Sequence, residues 1–246
     1  MCGRAKLDSD WSEIVRVFDL STLALADYRP RYNLAPTDLA PVISGPRGDR
    51  QARWASWGFV PYWERSTKPK SRPINAVGET VASSALFKGA FARGRCVVPA
   101  TGFYEWATGP EGKQPYLFAR TDRKPMALAG ICSRWRPDPA NVAEAVQAAK
   151  DKGRELPPWL RLLEAEGSLV TYAVLTTTPN AVTVQVHDRM PVVLADDAEI
   201  DAWLDERVEV RGLVRPAPDA LLDARRVNPA MGNVRVDTPE GCAILD

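Results

Sequence analysis

The sequence predicts an α+β fold: a single domain over residues 1–246, with a mainly antiparallel, barrel-like β-sheet core and peripheral helices. Three observations predict it. Short runs rich in β-branched and aromatic residues recur through the middle of the chain, bounded by Gly, Pro, Asp and Lys clusters. Segments with helical spacing stand outside those runs. The 246 residues are 45% hydrophobic and 26% charged, an ordinary globular composition in a chain long enough to bury a core without staples.

Taken in order, "DSDWSEIVRVF" sets Trp11, Ile14, Val15 and Phe18 at helical spacing, with Asp10 and Glu13 as a capping box. This short helix would pin down the strand that precedes it. "RYNLAPTDLAPVI" is Pro-punctuated and extended. "RQARWASWGFVPYW" alternates like a strand that ends at Gly58 and Pro61. The middle supplies four β-rich runs, "RCVVPATGFYEW", "PYLFAR", "MALAGICSRW" and "LVTYAVLTT". Between them, "TGPEGKQ" and "TDRKP" read as hairpin turns. From about residue 136 to 166 the character changes. "ANVAEAVQAAKDKGRE" is Ala-rich and helical, and Pro157, Pro158 and the apolar "WLRLL" follow it. The stretch reads as a helical insertion in the sheet. "DDAEIDAWLDE" is a capped helix with Ile200, Trp203 and Leu204 on one face, and "PDALLDA" reads as a short third helix.

Charge and cysteine usage narrow the function classes. Lys plus Arg number 32 and Asp plus Glu 31, for a net charge of +1, so binding to phosphates needs a local group of arginines rather than a global field. The four cysteines, Cys2, Cys96, Cys132 and Cys242, form no CxxC pair, which argues against a zinc site and a disulfide framework. One histidine rules out a His-rich metal centre. No metal and no cofactor are expected. The chain shows no signal-peptide core and no run of membrane-spanning length, so a reducing, cytoplasmic setting without membrane partners is expected.

The opening "MCGR" poses a chemical question. Removal of the initiator methionine would leave Cys2 with a primary amine and a thiol on adjacent carbons. No internal cysteine offers that pair, because its nitrogen lies in a peptide bond. Their reference pKa values, about 7.7–8.0 for the amine and about 8.5 for the thiol, put both groups near neutral titration.

Together with "PINAVGET", "VVPATGFYEW" and "VQVHDRMPVVL", in this order, "MCGR" resembles the SRAP family of SOS response-associated peptidases, or abasic-site processing proteins. "RYNLAP", "WGFVPYW" and "RRVN" support the match, which runs from Cys2 to about Asn228. The resemblance implies binding to abasic sites in single-stranded DNA and a covalent thiazolidine between Cys2 and the sugar aldehyde, with an associated lyase activity. It also implies self-processing that exposes Cys2, which is how the label "peptidase" is read. The partner is then single-stranded DNA containing abasic sites, met by a monomer that associates with the nucleoid when bound.

Residue by residue, the resemblance makes Glu105 the acid–base carboxylate. Its aromatic neighbours Tyr104 and Trp106 favour partial desolvation and a raised pKa, although an isolated Glu in a strand is more often a salt-bridged surface group. His187 would assist near the sugar and its 3′ phosphate, within its natural titration range. Asn75 would orient Cys2 through a neutral amide. Arg4 and Arg189 would clamp phosphates, and Tyr62 and Trp63 would stack on bases beside the lesion. Glu79 and Thr80 would hold their segment, and Trp57 reads as core. One departure stands out: the motif usually reads Asn-Ala-Arg-x-Glu-Thr, and here Val77 replaces the arginine. Two other readings stay open on the residues alone. One is an N-terminal-cysteine glutamine amidotransferase, in which Cys2 is an acyl nucleophile. The other is a non-catalytic single-strand binding module.

Overall fold

A computed structural model of the chain describes residues 2–110 and 112–245. Strand β1 (Ala5–Leu7) buries Ala5 and Leu7 on one face and leaves Lys6 half-buried, as a two-residue period requires. Helix α1 (Trp11–Phe18) buries Ile14 and Phe18, one turn apart. The expected capping box is absent. The Asp10 side chain makes no capping bond, and the Glu13 N–H goes to the Asp10 backbone carbonyl at 3.1 Å. Asp19 ends the helix in the left-handed region, at φ 50°, and donates its N–H to the Val15 carbonyl.

The extended stretch after α1 is two strands, β2 (Arg31–Leu34) and β3 (Leu39–Ser44), parted by a turn that Asp38 closes onto the Ala35 carbonyl. Strand β4 (Gln51–Trp57) stops at Gly58, whose φ of 131° suits glycine. Strand β5 (Asn75–Val77) and the short helices α2 (Gly78–Val81) and α3 (Lys88–Arg93) have no counterpart in the sequence reading, because elements this short carry no periodicity. "RCVVPATGFYEW" divides at Thr101 into β6 (Arg95–Ala100) and β7 (Gly102–Gly109), which enter different sheets.

Strand β8 (Gly112–Arg120) forms the expected hairpin with β7, Gly109 facing Gly112. "TDRKP" is not a hairpin turn. It carries the chain from β8 in one sheet to β9 (Met126–Trp135) in the other. Helices α4 (Pro139–Asp151) and α5 (Pro158–Glu166) occupy the expected helical stretch. Val146, Leu160 and Leu163 from these helices close a small separate core on Val60, Trp135 and Leu169. Strand β10 (Leu169–Thr177) follows, then the two-residue strands β11 (Met190–Pro191) and β12 (Val193–Leu194). Helix α6 (Asp197–Leu204) is capped as expected, with the Asp196 carboxylate accepting the Glu199 N–H at 2.9 Å. "PDALLDA" is not a helix. After one 3-10 turn at Asp219–Leu221 it becomes β13 (Leu222–Arg226), which pairs along β8 from Arg120 to Tyr116. The open ladder of β8 overrides local helical preference.

The strands form two sheets. One has five strands in the order β13-β8-β7-β1-β2, all antiparallel. In the other, β10, β4, β3, β6 and β9 pair in sequence, and β9 pairs back onto β10, closing a five-stranded barrel. The barrel-like core expected from the sequence is present, with one parallel contact, β10 on β4. Where β9 and β10 separate, the Met190–Leu194 segment fills the gap: Val192 donates to the Leu175 carbonyl and its own carbonyl accepts from Ala129, both at 2.9 Å. Strand β5 runs parallel to β10, with Asn75 opposite Val174. Strand β10 therefore sets the positions of both Asn75 and the segment that follows His187. No helix among the described residues is long and apolar enough to cross a membrane.

Arg50 is fully buried. It donates to the Phe18 carbonyl at 2.9 Å and pairs with Asp201 of α6 at 2.5 Å. Asp201→Ala leaves that guanidinium buried without its counter-charge, so unfolding in denaturant is expected to show a loss of about 3 kcal/mol.

Candidate functional site

The site forms where the N-terminal end of the five-stranded sheet meets β5 and the loop before β11. Cys2 lies just ahead of β1 and is fully buried. Strand β1 pairs with β7 through Ala5 opposite Phe103, and Arg4 accepts the Tyr104 N–H at 3.0 Å. Continuing that ladder brings the start of the chain alongside Glu105. Asn75, the first residue of β5, donates from Nδ2 to the Cys2 carbonyl at 2.8 Å. Its Oδ1 is buried without a hydrogen-bond partner among the described residues. Asn75→Ala removes the donor that fixes Cys2. We expect a drop of about 1 kcal/mol in stability, read by thermal denaturation.

His187 completes the group. Its Nε2 lies 3.9 Å from Glu105 Oε2, an ion-pair distance too long for a hydrogen bond. Its Nδ1 accepts the Arg189 N–H at 3.0 Å, which places the proton of the neutral ring on Nε2, toward Glu105. The Asp188 carboxylate is also 3.0 Å from Nδ1. It can accept from that nitrogen once the ring is doubly protonated. The ring thus has a partner at Nδ1 in either charge state, as a proton carrier needs.

The electrostatics suit acid–base work at this carboxylate. Burial pushes the Glu105 carboxyl above its ordinary range. Burial, reinforced by the Glu105 charge, also pushes the Cys2 thiol far up. A thiol shifted this way favours its protonated form.

The remaining sequence-derived candidates surround this centre. Arg4 donates through Nη1 to Asn33 Oδ1 at 2.8 Å and the Met231 carbonyl at 3.1 Å, and through Nη2 to the Gly232 carbonyl at 3.1 Å. Among the described residues its Nε and one Nη2 hydrogen have no hydrogen-bond acceptor. Arg189 is bidentate to Glu79, at 2.8 and 2.7 Å, and donates to the Thr176 carbonyl at 2.8 Å. That pair holds the Glu79 carboxyl below its usual range and ties α2 to the loop carrying His187. Tyr62 and Trp63 project into solvent edge to face, centroids 5.0 Å apart. Trp57 is core, stacked on Tyr172. Among the described residues, no cluster of His, Cys, Asp and Glu is placed to hold a metal ion.

A profile of SRAP, described as SOS response associated peptidase, matches residues 1–234. The chain belongs to the SRAP family. The abasic site processing protein YoqW of Bacillus subtilis is 27% identical over 246 residues, covering 98% of each chain. The abasic site processing protein HMCES of Gallus gallus is 30% identical over 247 residues, covering 87% of this chain and 66% of that one. A crystal structure of a Bacteroides thetaiotaomicron protein superposes with a TM-score of 0.75 at 21% identity, covering 97% and 96% of the two chains. It shares the fold.

Within this SRAP chain, two site features escaped the sequence reading. Asn33, inside "RYNLAP", is fully buried and holds Arg4 through Oδ1, while its Nδ2 donates to the carbonyls of Met231 and Val236, each at 2.8 Å. Asp237 caps the same strand by accepting the Tyr32 and Asn33 N–H groups at 2.6 and 2.8 Å. The segment "RYNLAP" supported the family resemblance, but nothing in the sequence announced the partnership of Asn33 with a segment some 200 residues away. Val77 is exposed on β5, so the position lies open to a ligand and offers it an apolar surface.

Proposed function

We propose that this protein processes abasic sites in single-stranded DNA by forming a covalent thiazolidine at Cys2, which shields the lesion from uncontrolled breakage. One observation carries the reading: a buried carboxylate and an imidazole, 3.9 Å apart, stand beside a buried cysteine that Asn75 holds by its carbonyl. With Met1 removed, the Cys2 amine attacks C1′ of the ring-opened sugar to give a carbinolamine. Protonated Glu105 gives its proton to the carbinolamine hydroxyl, water leaves, and an imine forms. The Cys2 thiol then adds to the imine carbon. Its proton passes through Glu105 to the imine nitrogen and closes the ring, so aldehyde and aminothiol yield thiazolidine and one water. His187 relays protons between Glu105 and the sugar's 3′ side, where it also assists strand cleavage. Arg4 and Arg189 meet phosphates with the N–H groups their internal partners leave over, and Tyr62 and Trp63 stack on bases, contributing about 1–3 kcal/mol each.

The test is denaturing electrophoresis of the full chain with a single-stranded oligonucleotide carrying one abasic site. A product that survives denaturation is expected with that oligonucleotide and none with the undamaged strand. Failure to form such a product, in material shown by mass spectrometry to begin at Cys2, overturns the reading.

A further inference from the structure

The barrel holds a second pair of thiols that the chemistry at Cys2 does not use. Cys96 on β6 and Cys132 on β9 are both reduced, with Sγ atoms 2.7 Å apart. Adjacent strands hold them: Arg95 pairs with Ile131, and Gly94 accepts the Cys132 N–H at 2.7 Å. Cys96 is sealed in the core, whereas Cys132 is partly exposed. By register, Val42, Arg53, Cys96, Cys132, Arg134 and Val170 share one face, and all of them line one cavity of about 710 Å³.

The rim of that cavity is basic. Arg53, Arg93 and Arg134 are exposed around it, and none of them pairs with a carboxylate among the described residues. The carboxylates nearby are Asp205 and Glu206, and Asp205 is already held by Arg207 at 2.9 and 2.8 Å. A thiol at the base of an arginine-rimmed opening favours reagents that bring negative charge. A cysteine beside it completes the set needed for a two-step exchange.

We infer that Cys132 and Cys96 form a modification site for small anionic disulfides, converting to an internal disulfide with Cys132 as the attacking sulfur. Cys132 loses its proton to solvent and attacks one sulfur of the reagent. A mixed disulfide forms and one thiolate leaves. The Cys96 thiol then attacks Cys132 Sγ, its proton going to the second departing thiolate. Two protein thiols and one disulfide become one protein disulfide and two small thiols. The Sγ atoms must close by less than about 1 Å to reach bonding distance. Burial holds the Cys96 thiol well above its usual range, so Cys96 waits as the resolving partner.

The experiment treats the full chain with glutathione disulfide, which is anionic, or with cystamine, which is cationic, then alkylates and maps cysteines by mass spectrometry. Wild type is expected to gain a Cys96–Cys132 disulfide, at least about tenfold faster with the anionic reagent at low salt, and high salt should erase the preference. Cys96→Ser is expected to stop at a mixed disulfide on Cys132, and Arg53→Gln with Arg134→Gln to lose the preference. Equal rates for the two reagents on wild type overturn the arginine assignment. Modification of Cys242 or Cys2 ahead of Cys132 overturns the site.

Discussion

Cys2→Ala is expected to abolish the product that survives denaturation while sparing the first step of the reaction. Alanine is small, so Met1 is removed from the variant as from wild type and the chain still begins with a primary amine. On the proposed mechanism that amine still forms an imine with the sugar aldehyde, with Asn75 still donating to the carbonyl of residue 2. What the variant lacks is the sulfur that converts a hydrolysable imine into a ring. Denaturing gels should show no adduct for Cys2→Ala alone, and an adduct when borohydride is added during the reaction. An unreduced Cys2→Ala adduct as abundant as the wild-type one would mean the linkage does not run through sulfur. The result also separates the proposed chemistry from simple binding to single strands, which yields no covalent product under either condition.

The same geometry explains which parts of the site were legible in the sequence. Cys2, Asn75, Glu105 and His187 each sit in a short motif, and the fold brings them together through strand pairing that no motif encodes. Asn75 reaches Cys2 because β5 lies parallel on β10, and His187 is placed by the segment that wedges between β10 and β9. Neither β5 nor β11 exceeds three residues, too short for alternation to signal a strand. The helix expected at "PDALLDA" failed for a related reason. Its local pattern fits a helical turn, but β8 offers an unpaired edge, and Leu222 is buried only as part of that ladder. Where the sequence was read correctly, as in α1, α4 and α6, the elements are longer and carry their own amphipathic face. The capping box failed even there, because Glu13 finds a backbone carbonyl and an exposed helix start needs no side-chain bond.

The second large effect concerns Glu105, where stability and function pull in opposite directions. Its buried carboxyl titrates above the usual range, chiefly through loss of solvation. A carboxyl whose pKa is higher in the folded chain than in the unfolded one favours folding below its unfolded pKa, about 4.3. That contribution is lost as pH rises through the folded value. As pH rises through the folded value the wild type takes on a desolvated charge, which Glu105→Gln, at nearly constant shape, cannot acquire. The melting temperature of Glu105→Gln, compared with wild type, is expected to rise relative to it as pH goes from about 4 to 8. Over the same range the rate of adduct formation should fall by about a hundredfold or more, the usual scale for losing a general acid–base group. A melting temperature that falls relative to wild type as pH rises would show that Glu105 is held as a structural anion, bound by its neighbours more strongly than burial opposes it. A rate unchanged in Glu105→Gln would move the proton transfers to His187, whose ring then has to deliver and recover every proton from Nε2.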